Sequence, residues 1–199
     1  MNRKADLLLT VPSMKMAELM NGNPSLPGVL TRMGIPFGFG EETVEDVCRR
    51  NGIDPETFLL ICSVYAGDGG LPAKERIRKA ELRDVLKYLR HSHAYYMEVA
   101  MQELTAALVR LTEPCDERQK NIIRKFFSEY KEELFKHLEY EEEIVFPQAE
   151  AALRHGHFAS DDYGENHSHV EEKLDDLKNL VMKYMPPVCG QQEIFRALT

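Results

Sequence analysis

The chain contains no tryptophan, and its four cysteines (Cys48, Cys62, Cys115 and Cys189) lie far apart with no C-x-x-C spacing. That argues against a disulfide framework and a structural zinc cage, and it suits a reducing cytoplasm. No stretch approaches the roughly 18 consecutive apolar residues that a transmembrane helix needs, so no membrane span is expected. The opening MNRKADLLLTVPSMK has a short apolar run but no small-residue cleavage pattern, so a secretory signal is not expected either. G-x-S-x-G, P-loop and G-x-G-x-x-G patterns are all missing, which argues against a conventional nucleophilic or nucleotide-dependent enzyme. Basic charge is also short. Against 33 Asp+Glu the 199 residues carry only 25 Lys+Arg, a formal net charge of −8.

What is present is unevenly spread. Residues 1–80 hold ten basic and ten acidic side chains, so the negative excess belongs entirely to residues 81–199. All seven histidines fall between positions 91 and 169. An acidic, histidine-rich half repels nucleic acid and attracts cations.

Residues 1–66 read as short helices separated by glycine and proline. Ser13 can cap MKMAELM, Gly34 can close SLPGVLTRM, and Thr43 can cap VEDVCRRN. Asp54-Pro55 supplies an N-cap followed by proline at the first helical position of ETFLLICSVYA. Glycines and Pro72 within 67–80 mark a linker. Residues 81–199 then show three long segments with apolar residues at helical spacing, about 82–112, 117–152 and 161–185. Short loops make them antiparallel neighbours in a bundle. QQEIFRALT, with Ile194, Phe195 and Leu198, begins a fourth helix. The fold class is all-α: a small helical domain, a linker, and an up-down bundle of three long helices plus the start of another.

Four polar residues interrupt the apolar stripes. The first stripe (Leu86, Leu89, Tyr96, Ala100, Leu104, Ala107, Leu111) passes, seven residues from Leu86 and from Ala100, through His93, whereas His91 falls on the outer face. The second stripe (Ile123, Phe127, Tyr130, Leu134, Ile144, Val145) passes through His137 and Glu141. On the third, seven residues before Leu174, lies His167. A lone core histidine is ordinarily just a satisfied packing residue. Glu141 changes that reading, because a buried carboxylate must be protonated, paired or bound to a cation, and no lysine or arginine shares its stripe. Three imidazoles and a carboxylate are the inventory of a non-haem iron or manganese site. Glu139, Glu142 and Glu143 read as a solvated face, with Glu139 beside Lys136, and His155 and His157 as exposed loop residues. Tyr96, Tyr130 and Tyr163 share the stripes and could hold the histidines' second nitrogens, but read as core packing.

His137-Leu-Glu-Tyr-Glu141-Glu142-Glu-Ile-Val-Phe146-Pro147 resembles the H-x-x-x-E-E-x-x-x-F-P signature of hemerythrin-like HHE cation-binding domains, and His93 and Asn166-His167 resemble that family's other histidine positions. The segment from Gly34-Ile-Pro-Phe-Gly to Cys48, with Gly52-Ile-Asp54-Pro55-Glu56 after it, is similar to the small N-terminal domain of the iron-sulfur cluster repair di-iron proteins (the RIC/ScdA type). The resemblance implies two iron ions, with His93, His137 and His167 as terminal ligands and Glu141 bridging. It implies a cytoplasmic, stress-responsive protein whose partners are damaged iron-sulfur proteins. Two departures stand out. Gly38-Phe39 occupies the position of that family's adjacent cysteines, and the family's fourth-helix histidine and carboxylate have no counterpart up to Thr199. A longer chain, a homodimer completing the bundle in trans, or a weakly held metal would each account for the second. A hemerythrin-like sensor of oxygen or nitric oxide is the alternative within the metal class. A DNA-binding regulator using residues 43–62 as a helix-turn-helix is the alternative outside it, disfavoured by the neutral charge of residues 1–80.

Overall fold

The structure is a computed structural model that describes residues 11–66, 72–155 and 163–184; for residues 154–155, 163–169, 171 and 184 it describes the helical backbone alone. The N-terminal stretch, part of the linker and the segment 191–199 expected to begin a fourth helix lie outside the described residues. Among the described residues there is no strand, only an isolated bridge between Lys15 and Thr43, and no helix is long and apolar enough to cross a membrane. The chain divides into two compact units, Met1–Ser92 and His93–Thr199.

Unit one is built from α1 (Met16–Gly22), α2 (Pro27–Met33), α3 (Val44–Arg50), α4 (Pro55–Tyr65) and α5 (Lys74–Lys79), and it contains most of α6 (Leu82–Tyr95). The caps are those the sequence demands. Thr43 Oγ1 accepts from the Asp46 amide at 3.1 Å while Asp46 accepts from the Thr43 amide, a reciprocal capping box. Asp54 accepts from the Thr57 amide at 2.8 Å with Pro55 behind it. Gly34 ends α2 in the left-handed region at φ 73°, where a Cβ would be strained. Ser13 is not the cap of α1. Lys15 holds that position without a side-chain bond, and the Met16 amide donates to the Glu42 carbonyl at 3.1 Å, so a long-range backbone partner does the capping. The core gathers Met16, Leu30, Met33, Val47, Cys48 and Phe58, all essentially inaccessible. From Thr57 through Cys62 every residue of α4 is buried. A recognition helix needs a polar face free to enter a DNA groove, so the helix-turn-helix alternative loses its second helix to the core.

Unit two takes up the end of α6 and continues through a π-helical turn (Tyr96–Ala100) into α7 (Met101–Thr112). After a short loop, α8 (Glu117–Tyr140) runs back, passes through a second π turn (Glu141–Val145) and becomes α9 (Phe146–His155); α10 (Tyr163–Tyr184) packs along α8. A second capping box, Asp116 with Gln119, starts α8. The shared core includes Met101, Leu108, Leu111, Phe127, Leu134 and Val181.

The π turns shift the stripes. Each carries an i→i+5 bond in place of i→i+4 and so inserts one residue into the repeat. The first stripe therefore does not run through Ala100 and Ala107. It moves one residue on, to Met101, Leu108 and Cys115, which are all buried, while Tyr96 is 36% exposed. Within the second turn Val145 is buried but Ile144, expected on the same stripe, is 41% exposed.

Candidate metal centre

Four side chains meet where the end of α6 passes the second π turn. His93 comes from α6 three residues before the first π turn, His137 from the last turn of α8, and Glu141 and Glu142 open the second π turn. The antiparallel return of the chain puts the start of one rod beside the far end of the other. Of these groups His93 and Glu141 are deeply buried, with side-chain exposures of 5% and 6%, and His137 is nearly so at 9%. Glu142 is about one-third exposed.

Glu141 faces two imidazoles at once. Its Oε2 lies 3.0 Å from His93 Nε2 and its Oε1 lies 3.5 Å from His137 Nε2. The second distance is longer than an ordinary N–H···O hydrogen bond, which spans about 2.7–3.2 Å. Both separations suit two donors sharing an ion: ligands about 2.1 Å from one metal stand about 3.0 Å apart at a right angle and about 3.4 Å apart at the tetrahedral angle. A carboxylate oriented this way offers one oxygen to each of two neighbouring positions. Among the described residues no three His, Cys, Asp or Glu side chains converge on a single point; the pairs His93–Glu141 and His137–Glu141 are what the described side chains supply. The donors are imidazole nitrogen and carboxylate oxygen with no thiolate, a set that fits iron or manganese and does not favour a soft metal.

His93 is held on its other sides as well. Its Nδ1 lies 2.9 Å from Glu142 Oε1, and its ring stacks on Phe146, centroids 5.2 Å apart and planes inclined by 18°. Phe146 is almost wholly buried. The solvated face expected for Glu142 is therefore not where its side chain lies: Glu142, not a tyrosine, reaches Nδ1 of the inner histidine. Lys136 pairs with Glu132 at 2.7 Å, one turn back, instead of Glu139. Tyr130 packs in the core, its hydroxyl pushed up in pKa by burial and, to a lesser degree, by Tyr96. His91 is exposed, and its Nδ1 lies against the Arg32 carbonyl within unit one.

His167 lies on α10, but its side chain falls outside the described residues, as do those of Tyr163, His155 and His157. Sequence spacing thus names three of the side chains at this centre and misses two, Glu142 and Phe146. The signal for Phe146 is its place in the same short motif; for Glu142 it is adjacency to an inward carboxylate just before Pro147, which has no amide hydrogen to continue the helical ladder and so marks the irregularity.

No curated protein matches the chain. The model of the hemerythrin HHE cation binding domain matches residues 75–198, well over half of the sequence and all of the helices that carry this centre, and the chain belongs to that family.

Proposed function

We propose that this cation-binding domain holds a pair of iron ions, and that the protein serves the repair of damaged iron-sulfur clusters in the cytoplasm under oxidative or nitrosative stress. The observation that carries the iron pair is the placement of Glu141, whose two oxygens face two different buried imidazoles. In this reading His93, His137 and, from α10, His167 would hold the ions as terminal imidazoles, with Glu141 as the carboxylate they would share. The carboxylate offsets ionic charge in a core where water cannot, and the apolar neighbours Phe146 and Leu138 exclude solvent. A bound iron pair supplies redox-active, exchangeable metal.

The repair role rests on the resemblance of unit one to the N-terminal domain of the cluster-repair proteins. That unit carries Gly38 at φ 95° followed by Phe39, so the route to a client cluster uses no thiol pair at this position. Cys48 does not replace it, being fully buried.

Purified chain, loaded with iron and analysed for metal content, is to be mixed with an aconitase-type enzyme whose cluster has been damaged by peroxide or nitric oxide. Recovery of the client's activity, abolished in His137→Ala and Glu141→Ala, is the expected result. Iron binding without recovery, together with a reversible oxygen or nitric oxide adduct spectrum, would replace repair by sensing. Failure to bind iron would remove both.

A further inference from the structure

The π turn that opens at Glu141 does more than present one carboxylate. Adjacent residues on a helix diverge by about 100° around the axis, so consecutive glutamates ordinarily serve different neighbours. Here Glu141 and Glu142 reach the same imidazole from opposite edges: Glu141 Oε2 at Nε2, 3.0 Å, and Glu142 Oε1 at Nδ1, 2.9 Å. The two ring nitrogens of histidine point away from each other, so Glu142 sits on the edge remote from the gap between His93 and Glu141. It is placed to hold the ring, not to touch an ion lodged beside Nε2. Phe146, four residues further on, lies flat against the ring.

We propose that Glu142 is a positioning residue: it accepts the Nδ1–H of His93 and so fixes the ring with Nε2 turned to the position beside Glu141. The chemistry is specific. A nitrogen can bind a metal only through a free lone pair, so the hydrogen of a neutral imidazole must reside on the other nitrogen. A carboxylate at Nδ1 secures it there and raises the electron density at Nε2. A 180° flip would keep the ring's plane, and with it the stack on Phe146, but would put a carbon in place of Nδ1 before Glu142, so the Nδ1–Glu142 contact is what opposes the flip. Within six consecutive residues one segment supplies the proposed bridging carboxylate, the orienting carboxylate and the stacking ring.

This inference rests on the metal-centre reading, and its test separates the two. Full-length wild type, Glu142→Ala and Glu142→Gln are compared by two measurements. The first is the His93 Nδ1–H proton in nuclear magnetic resonance of metal-free, histidine-labelled protein, where a hydrogen-bonded buried proton exchanges slowly with water. The second is affinity for cobalt(II), read by chelator competition and by its visible spectrum. Wild type and Glu142→Gln should both show the slow Nδ1–H resonance, since the amide oxygen still accepts; Glu142→Ala should lose it. Cobalt affinity should fall about tenfold to a hundredfold in Glu142→Ala, the usual cost of removing such an outer carboxylate, and remain within about threefold of wild type in Glu142→Gln. A Glu142→Ala protein that keeps the slow proton, or that binds cobalt as wild type does, overturns the proposal. If wild type binds no cobalt, the metal-centre reading falls, and the Nδ1–H resonance still decides whether Glu142 holds the ring.

Discussion

Glu141 Oε2 lies 3.0 Å from His93 Nε2, between two rods of the bundle and out of reach of bulk water. Replacing a whole buried polar cluster by apolar groups is commonly neutral or stabilising, whereas removing one member leaves its partners unsatisfied. Glu141→Leu takes that partner from both His93 and His137 and is therefore expected to cost the metal-free protein about 1–3 kcal/mol while abolishing metal uptake. Thermal melts of chelator-treated protein, with and without added iron(II), check both halves. A loss well beyond that range in the metal-free variant would mean that the carboxylate is there for the fold.

Metal binding to the folded state alone raises stability by an amount set by concentration, about 2.7 kcal/mol at a hundred times the dissociation constant. That gain should appear in unit two only. Hydrogen exchange should slow around His93 and through residues 137–146 on adding iron(II) or cobalt(II), with Phe58 and the rest of the unit-one core unchanged. His93→Ala and His137→Ala should each shrink the shift in Tm. Equal protection of both units on adding metal would contradict a centre confined to the bundle.

What the sequence made legible depended on how local the deciding interactions are. Thr43 with Asp46, Asp54 before Pro55, and Gly34 after α2 are short-range devices, and all three occupy their expected places. Ser13 failed because the competing partner, the Glu42 carbonyl, arrives from far along the chain. His93 and Glu141 emerged from seven-residue arithmetic because each sits before its own π turn accumulates any offset. Past the first turn the spacing slips by one residue, so Leu108 is buried and Ala107 only partly so, while Leu111 keeps its expected inward place; Ile144 falls within the second turn and faces outward. Glu142 is not legible from helical spacing, because its role depends on the opposing helix and on a widened turn whose mark in the sequence is Pro147, two residues past the end of that turn.

Phe146 is almost fully buried and stacked on His93. Phe146→Ala is expected to cost about 3–5 kcal/mol, the range for emptying an aromatic site in a core. Phe146→Leu keeps most of the bulk and should cost far less, yet it removes the flat surface against the imidazole, an interaction worth about 0.5–1.5 kcal/mol. Urea denaturation gives the first quantity and chelator competition the second. Unchanged metal affinity in Phe146→Leu would reduce Phe146 to simple packing.

Cys48 tests whether unit one offers any thiol chemistry. Burial pushes its pKa from 9.0 up to about 12, with Asp54 and Asp84 adding to the rise, and burial raises Cys62 as well. A thiol whose folded pKa is raised favours the folded state only while it stays protonated. That contribution is complete below about pH 9 and is lost as the pH climbs from there toward 12, because the unfolded chain ionises first. Denaturation midpoints of unit one should therefore fall above pH 9, and less steeply in Cys48→Ala. At pH 8 the folded protein should resist iodoacetamide at Cys48, since the thiolate is the nucleophile and is scarcely populated, and should label quickly once denatured. Labelling of the native protein at the rate of an unhindered thiol would show that the helix opens readily, and would restore Cys48 as a candidate reactive group.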